Sequence, residues 1–208
     1  MRNPLHSKNH LNPGKLPFKM EFLKDGSIRL DKVVNKLDKF VLDFVKVLKK
    51  HTNYVIVSGY VSILFGRSRA TEDVDLIAPR MEKKAFLRLY KDLMKKFECL
   101  NSSKPDELYK EYLGNKIAIR FSKKGKPIPN IEFKFAKTSI DNEALKEKFL
   151  ARIGRSELII SSLELQIAFK EIVLGSDKDL EDAEHLKTLF EKRLNMKKLE
   201  HYRKVLSR

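Results

Sequence analysis

Asp73 and Asp75 stand one residue apart in a run that reads Asp-Val-Asp-Leu-Ile-Ala. Alternating with Val74 and Leu76, they fit a strand whose carboxylates point to one face and whose apolar side chains point to the other. Carboxylates side by side repel, and a hard cation held between them removes the repulsion. Upstream, the β-branched run at 54–57 breaks at Ser58-Gly59 into a short apolar helix. Such a strand-to-helix turn is a natural cradle for phosphate. A polar loop carrying Arg67, Arg69 and Thr71 joins the helix to the aspartate strand.

The elements that must position these groups are readable from periodicity. Apolar residues from Leu30 through Val33, Val34, Leu37, Phe40, Val41, Phe44 and Val45 to Leu48 recur at three-four spacing, which predicts an amphipathic helix over 30–50. The same pattern predicts a helix over 81–97, and Pro105 predicts the first turn of a short one over 105–113. Residues 116–122 alternate with Ile117, Ile119 and Phe121 on one face. Residues 131–135 alternate with Ile131, Phe133 and Phe135 inward, which turns Glu132 and Lys134 the other way. From 141 onward the chain reads as largely helical, interrupted by a short apolar segment at 158–160. Ser161 or Ser162 reads as a helix start, with Ser161-x-x-Glu164 making a capping box, Gly175 reads as a helix stop, and 196–206 as a basic helix or fraying tail. The fold class is α+β: strands with flanking helices, followed by a C-terminal helical lobe. The divisions are an N-terminal arm at 1–28, a domain of strands and helices at 29–138 and a helical region at 139–208.

Composition narrows the function. The 208 residues are 42% hydrophobic, enough for the core of one domain with or without a helical appendage. No apolar run approaches the roughly 20 residues of a membrane span. The basic start has no apolar stretch behind it to make a secretory signal, so a cytoplasmic protein is the default. Cys99, the single cysteine, excludes an internal disulfide and a cysteine-based zinc cluster, and reads as core filler near a helix end. None of His6, His10, His51, His185 and His201 has metal-ligand spacing. Lys and Arg number 44 against 28 Asp and Glu, a net charge of +16, which favours RNA or DNA as partner. The ion-pair surface of a hyperthermophilic protein explains the charge density but not so large an imbalance.

The run Ser58-Gly59, thirteen residues, then Asp73-Val74-Asp75 resembles the signature of the nucleotidyltransferase superfamily that includes DNA polymerase β. The Arg69-x-Thr71-x-Asp73-x-Asp75 spacing is most similar to a small prokaryotic branch that includes abortive-infection-type toxins. Lys170 and the later Lys178-Asp179-Leu180-Glu181-Asp182-Ala183 resemble that branch's downstream helices, so the likeness covers about residues 50–190. Two residues depart from the pattern. Ser58 stands where the family turn has its first glycine, and Glu132 stands where a third carboxylate, usually Asp, is required. Lys134 shares the face of Glu132, where it either weakens metal binding or meets a phosphate.

The resemblance implies transfer of a nucleoside monophosphate from a nucleoside triphosphate, ATP first among them, to an acceptor hydroxyl. It implies two Mg²⁺ ions on Asp73 and Asp75, with Glu132 completing the site and accepting the hydroxyl proton. Ser58 and Gly59 would bind phosphates, with Arg67, Arg69, Thr71, Lys170 and Lys178 supporting the triphosphate. On the residues alone, Asp179 and Asp182 read as acids neutralising a helix start. The basic surface leans towards an RNA acceptor, such as a tRNA end. The branch resemblance adds an antitoxin protein as a partner. The rival reading is an RNA- or ribonucleoprotein-binding module on the same fold with its chemistry weak or lost.

Overall fold

A computed structural model describes residues 16–207. These form strands β1 (Lys19–Phe22), β2 (Ile28–Asp31), β3 (Val55–Val57), β4 (Asp73–Ala78), β5 (Phe97–Cys99), β6 (Ile119–Lys123), β7 (Lys126–Phe135), β8 (Lys148–Ile153) and β9 (Ser156–Ser161). Interleaved with them are helices α1 (Lys36–Leu48), α2 (Gly59–Leu64), α3 (Lys83–Leu93), α4 (Pro105–Glu107), α5 (Ser139–Lys146), α6 (Leu163–Phe169), α7 (Asp177–Phe190) and α8 (Met196–Leu206). Helices α4 and α6 run on as π-helical turns at Leu108–Leu113 and Lys170–Leu174. All the strands join one mixed sheet in the order β1-β2-β8-β9-β3-β4-β7-β6-β5.

One face of this sheet is closed by aromatic packing. Phe44 of α1 meets Phe97 and Phe121 at centroid distances of 5.2 and 5.5 Å, and Phe86 of α3 meets Phe135 at 6.5 Å. Each such ring, fully buried, stabilises the fold by about 1.5–3 kcal/mol. Val74, Leu76, Ile131 and Phe133 lie on this face and are fully buried. Because side chains alternate along a strand, burying them turns Asp73, Asp75, Glu132 and Lys134 to the opposite face, and a one-residue slip would bury the acids instead. The helical lobe is anchored by Phe190 at the end of α7, edge-on to Phe65 at 4.9 Å, while α7 lies against α2 and α6 against α8. No helix among the described residues is long and apolar enough to cross a membrane.

Several sequence expectations need correction. The helix expected from residue 30 begins at Lys36, because Asn35 caps it through a reciprocal capping box with Asp38. Leu30 belongs instead to β2, and Val33 is 90% exposed. The part of the arm at 16–28 is not an extended segment: β1 pairs antiparallel with β2, which pairs parallel with β8. The rest of the arm lies outside the described residues. The sheet also runs through the boundary read at residue 138, since β8 and β9 form a hairpin turned at Gly154 (φ 58°) and β9 sits beside β3.

Smaller shifts follow the same logic. Helix α3 stops at Leu93, so Cys99 lies half-buried on β5 rather than at a helix end. Ile117 precedes β6 and is exposed. The cap of α6 is Ser162, and the Glu164 carboxylate accepts instead from the Asn195 N–H at 2.9 Å. Gly175 does stop its helix, in the left-handed conformation at φ 63°.

Candidate active site

Strand β4 brings the carboxylates together. It pairs in parallel with β7, setting Asp75 beside Glu132 and Asp73 beside Asn130, while Val57 of β3 flanks Asp75 on the other side. Asp73, Asp75 and Glu132 therefore share one face of adjacent strands. Burial pushes the Asp75 carboxyl up to about 6, and the Glu132 and Asp73 charges push the same way against a hydrogen bond from Ser58 and the charge of Lys134. Thr71 Oγ1 lies 3.0 Å from Asp73 O and 3.2 Å from its Oδ1, tying the end of the loop to the first acid.

The turn before α2 is held in an unusual conformation. Ser58 takes φ 65° and ψ −142°, a region that a glycine enters freely and that costs another residue about 1–3 kcal/mol. Its N–H donates to Gln166 Oε1 at 2.9 Å, and its hydroxyl does not cap α2 but acts on Asp75, lowering that carboxyl against the effect of burial. Serine in place of the expected glycine thus keeps the glycine-like backbone and adds a hydroxyl beside the second aspartate.

No protein-family model matches the sequence, and no curated protein matches it. Among solved structures, the chain is similar to an antigenic nucleotidyltransferase-like protein from Paracoccidioides brasiliensis, with a TM-score of 0.50 and 16% identity over 81% of this chain and 85% of that one. It is also similar to the antibiotic-resistance factor ANT(2'')-Ia, with a TM-score of 0.52 and 11% identity over 83% of this chain and 92% of that one. The fold is that of the nucleotidyltransferases. At these identities the likeness concerns the fold alone.

On this nucleotidyltransferase fold the loop arginines are tied to the helical lobe. Arg69 donates from Nε and Nη2 to the two oxygens of Asp182 at 3.1 and 3.0 Å, and from Nη1 to Ala70 O at 3.2 Å. Arg67 pairs with Glu181 and lies 3.5 Å from Asp182 Oδ1. Lys170 was expected to reach a triphosphate. It is 0% exposed, with Nζ 2.9 Å from Asp182 Oδ2 and 3.6 Å from Asp179 Oδ1, so it secures Asp182 from beneath. Asp182 is correspondingly no helix-start acid but the hub of the cluster. Lys178 is exposed on the first turn of α7, and no ion pair among the described residues ties it to the site.

Arg69 lies directly on the turn. A Cβ added to Gly59 would come within 2.1 Å of Arg69 Nη2, so the missing side chain at Gly59 is what admits the guanidinium. Gly59→Ala should leave the fold standing and dislodge Arg69. The expected result is about tenfold weaker binding of a fluorescent triphosphate, equivalent to about 1.4 kcal/mol. Unchanged binding would remove Arg69 from the phosphate site.

Arg120 is a site residue the sequence reading missed. It stands opposite Glu132 in the β6–β7 ladder and donates from Nη2 and Nε to Glu132 Oε2 at 3.1 and 3.3 Å. The signal was present, since Ile119 and Phe121 point inward and so place Arg120 on the face of Glu132. Lys134 turns to Asp141 Oδ1 at 3.0 Å, away from Glu132. Among the described residues no three His, Cys, Asp or Glu side chains converge to enclose a metal ion. The carboxylates of Asp73 and Asp75, on one face of β4, nevertheless suit a hard cation, whose charge would offset the burial and the neighbouring charges that lift Asp75. Two histidines have other partners, His51 meeting Asp92 Oδ2 at 2.9 Å and His185 Nε2 donating to Phe65 O at 2.9 Å, and His201 is exposed beside the Tyr202 ring. His6 and His10 lie outside the described residues.

Proposed function

We propose that the chain is a Mg²⁺-dependent nucleotidyltransferase that moves a nucleoside monophosphate from a nucleoside triphosphate, ATP by preference, to an acceptor hydroxyl. The observation that carries this reading is the neighbourhood of Asp75. It lies between Asp73 and Glu132 on one sheet face, bonded to the Ser58 of a glycine-containing turn, with a carboxyl lifted towards neutral pH. Asp73 and Asp75 would hold the metal, with Glu132 as third ligand, and the metal would supply charge neutralisation at the transferring phosphate. The chain's own groups do the positioning. Ser58 orients Asp75, Thr71 orients Asp73, and Asp182 fixes Arg69 against the turn where phosphate oxygens would lie. Glu132 would take the acceptor proton.

The net charge of +16 supports an RNA acceptor over a small molecule. Incubation with Mg²⁺, labelled triphosphates and total RNA tests the reading. Wild type should label a discrete RNA species, and the double variant Asp73→Ala/Asp75→Ala should not. Equal labelling by both would sink it. An antitoxin partner follows if expression arrests growth and Asp75→Ala relieves the arrest. The binding-module alternative draws on the ion pair that occupies Glu132, and is favoured if RNA binds with steep salt dependence while no triphosphate turns over.

A further inference from the structure

Arg120 has a place in this site that depends on the transferase reading and goes beyond it. Three side chains stand in a row across adjacent strands: Asp75 on β4, Glu132 on β7 and Arg120 on β6. Glu132 is thus shared between a cation site on one side and a guanidinium on the other. Both Arg120 contacts fall on one oxygen of Glu132, and the two side chains are 53% and 27% exposed. An ion pair so exposed is weak and readily exchanged. The backbone under it is fixed, because the Arg120 N–H donates to Asn101 Oδ1 at 2.7 Å.

A carboxylate that turns towards a divalent cation leaves its arginine beside that cation, where like charge repels it. Arg120 then needs another anion. The hairpin beyond it has no acid of its own, reading Arg-Phe-Ser-Lys-Lys-Gly-Lys-Pro-Ile-Pro-Asn from residue 120 to residue 130, and the carboxylate nearest its tip, Glu98 of β5, already accepts from the Gly125 N–H at 2.8 Å. Lys124 and Lys126 at its tip are exposed and have no ion-pair partner among the described residues, while Lys123 is held by Asp43 at 3.1 Å. At about 3.3 Å per residue the tip lies about 13 Å from Arg120. Arg120 with Lys124 and Lys126 farther out fits an extended chain carrying more than one phosphate.

We propose that Arg120 is an exchange residue. An acceptor carrying a phosphate beside its reacting hydroxyl, as a nucleic-acid end does, draws Arg120 off Glu132, and the freed Glu132 completes the cation site with Asp73 and Asp75. Without such an acceptor the third ligand stays occupied, which protects the triphosphate from transfer to water. Arg120 acts through Glu132 and is a positioning residue.

Mn²⁺ binding to the full chain, followed by electron paramagnetic resonance without any nucleoside triphosphate, tests this apart from activity. Arg120→Ala should bind Mn²⁺ about tenfold more tightly than wild type, since it frees a carboxylate ligand and removes a nearby cation. Adding Glu132→Gln to that variant should abolish the gain. A dinucleoside monophosphate with a free terminal hydroxyl should tighten Mn²⁺ binding to wild type but not to Arg120→Ala, and the matching nucleoside should do neither. Equal or weaker Mn²⁺ binding by Arg120→Ala overturns the exchange. Asp75→Asn separates the two readings. If it removes Mn²⁺ binding while Arg120→Ala changes nothing, the metal site stands and only the exchange falls. If it binds Mn²⁺ as wild type does, the transferase reading falls as well.

Discussion

Asp182→Ala should destabilise the protein by about 3–5 kcal/mol, the usual cost of removing one partner from a buried ion pair. Asp182 and Lys170 are both fully buried, 2.9 Å apart, and Asp182 also takes both donors of Arg69. Without it, the Lys170 ammonium is left in the interior with only Asp179 at 3.6 Å, and Arg69 and Arg67 lose the group that draws them together. Lys170→Met should cost less, because Asp182 would keep its arginines and the methionine side chain fills similar space. Urea denaturation gives the order directly. A loss under about 1 kcal/mol for Asp182→Ala would mean that water reaches the cluster and screens it. The cluster joins the loop before β4 to α6 and α7, so the same variant should also loosen Arg69 from the turn and weaken triphosphate binding.

How far this was visible in the sequence depends on the range of each interaction. The turn at Ser58 and the acids of β4 are local features, fixed by β-branched runs and a spacing of two, and both were readable. The inward alternation of β7 placed Glu132 correctly on its strand. That Glu132 lies beside Asp75 depends on a parallel pairing between residues 57 positions apart, which periodicity does not encode. Strands β1 and β2 were missed because they are four residues long and alternate with charged residues, and of the β8–β9 hairpin only the apolar segment at 158–160 stood out; the pairing of β2 with β8 brings residue 28 against residue 151. Lys170 was misread for a different reason. A lysine on a helix is normally solvated, and only the assembled lobe, with Asp179 and Asp182 on one face of α7, makes burying it tolerable.

Asp75→Asn should abolish transfer and yet stabilise the metal-free protein at pH 8. The Asp75 carboxyl titrates at about 6 in the folded chain against an ordinary value of 3.8, chiefly because it is buried. The native state therefore keeps its proton where the unfolded chain has lost it, and stability falls as pH rises from 3.8 to about 6. Above that window the ionised group costs up to about 3 kcal/mol, from about 1.36 kcal/mol per pKa unit. Asparagine carries no charge to bury and can still accept from Ser58. In EDTA the variant should melt above wild type at pH 8 and close to it at pH 4. Mg²⁺ should raise the wild-type melting temperature at pH 8, have little effect at pH 5 where Asp75 is largely protonated, and leave the variant unmoved at both. At limiting Mg²⁺, transfer by wild type should fall as the pH drops below about 6, where the Asp75 proton competes with the metal, and saturating Mg²⁺ should move the fall to lower pH. Coincident melting curves in EDTA at pH 8 would show that Asp75 is well solvated, and the site would then lack the repulsion that makes a cation its natural partner. The gain in stability on neutralising Asp75 is therefore a measure of the site itself: the strain of holding that charge uncompensated is what a bound metal relieves.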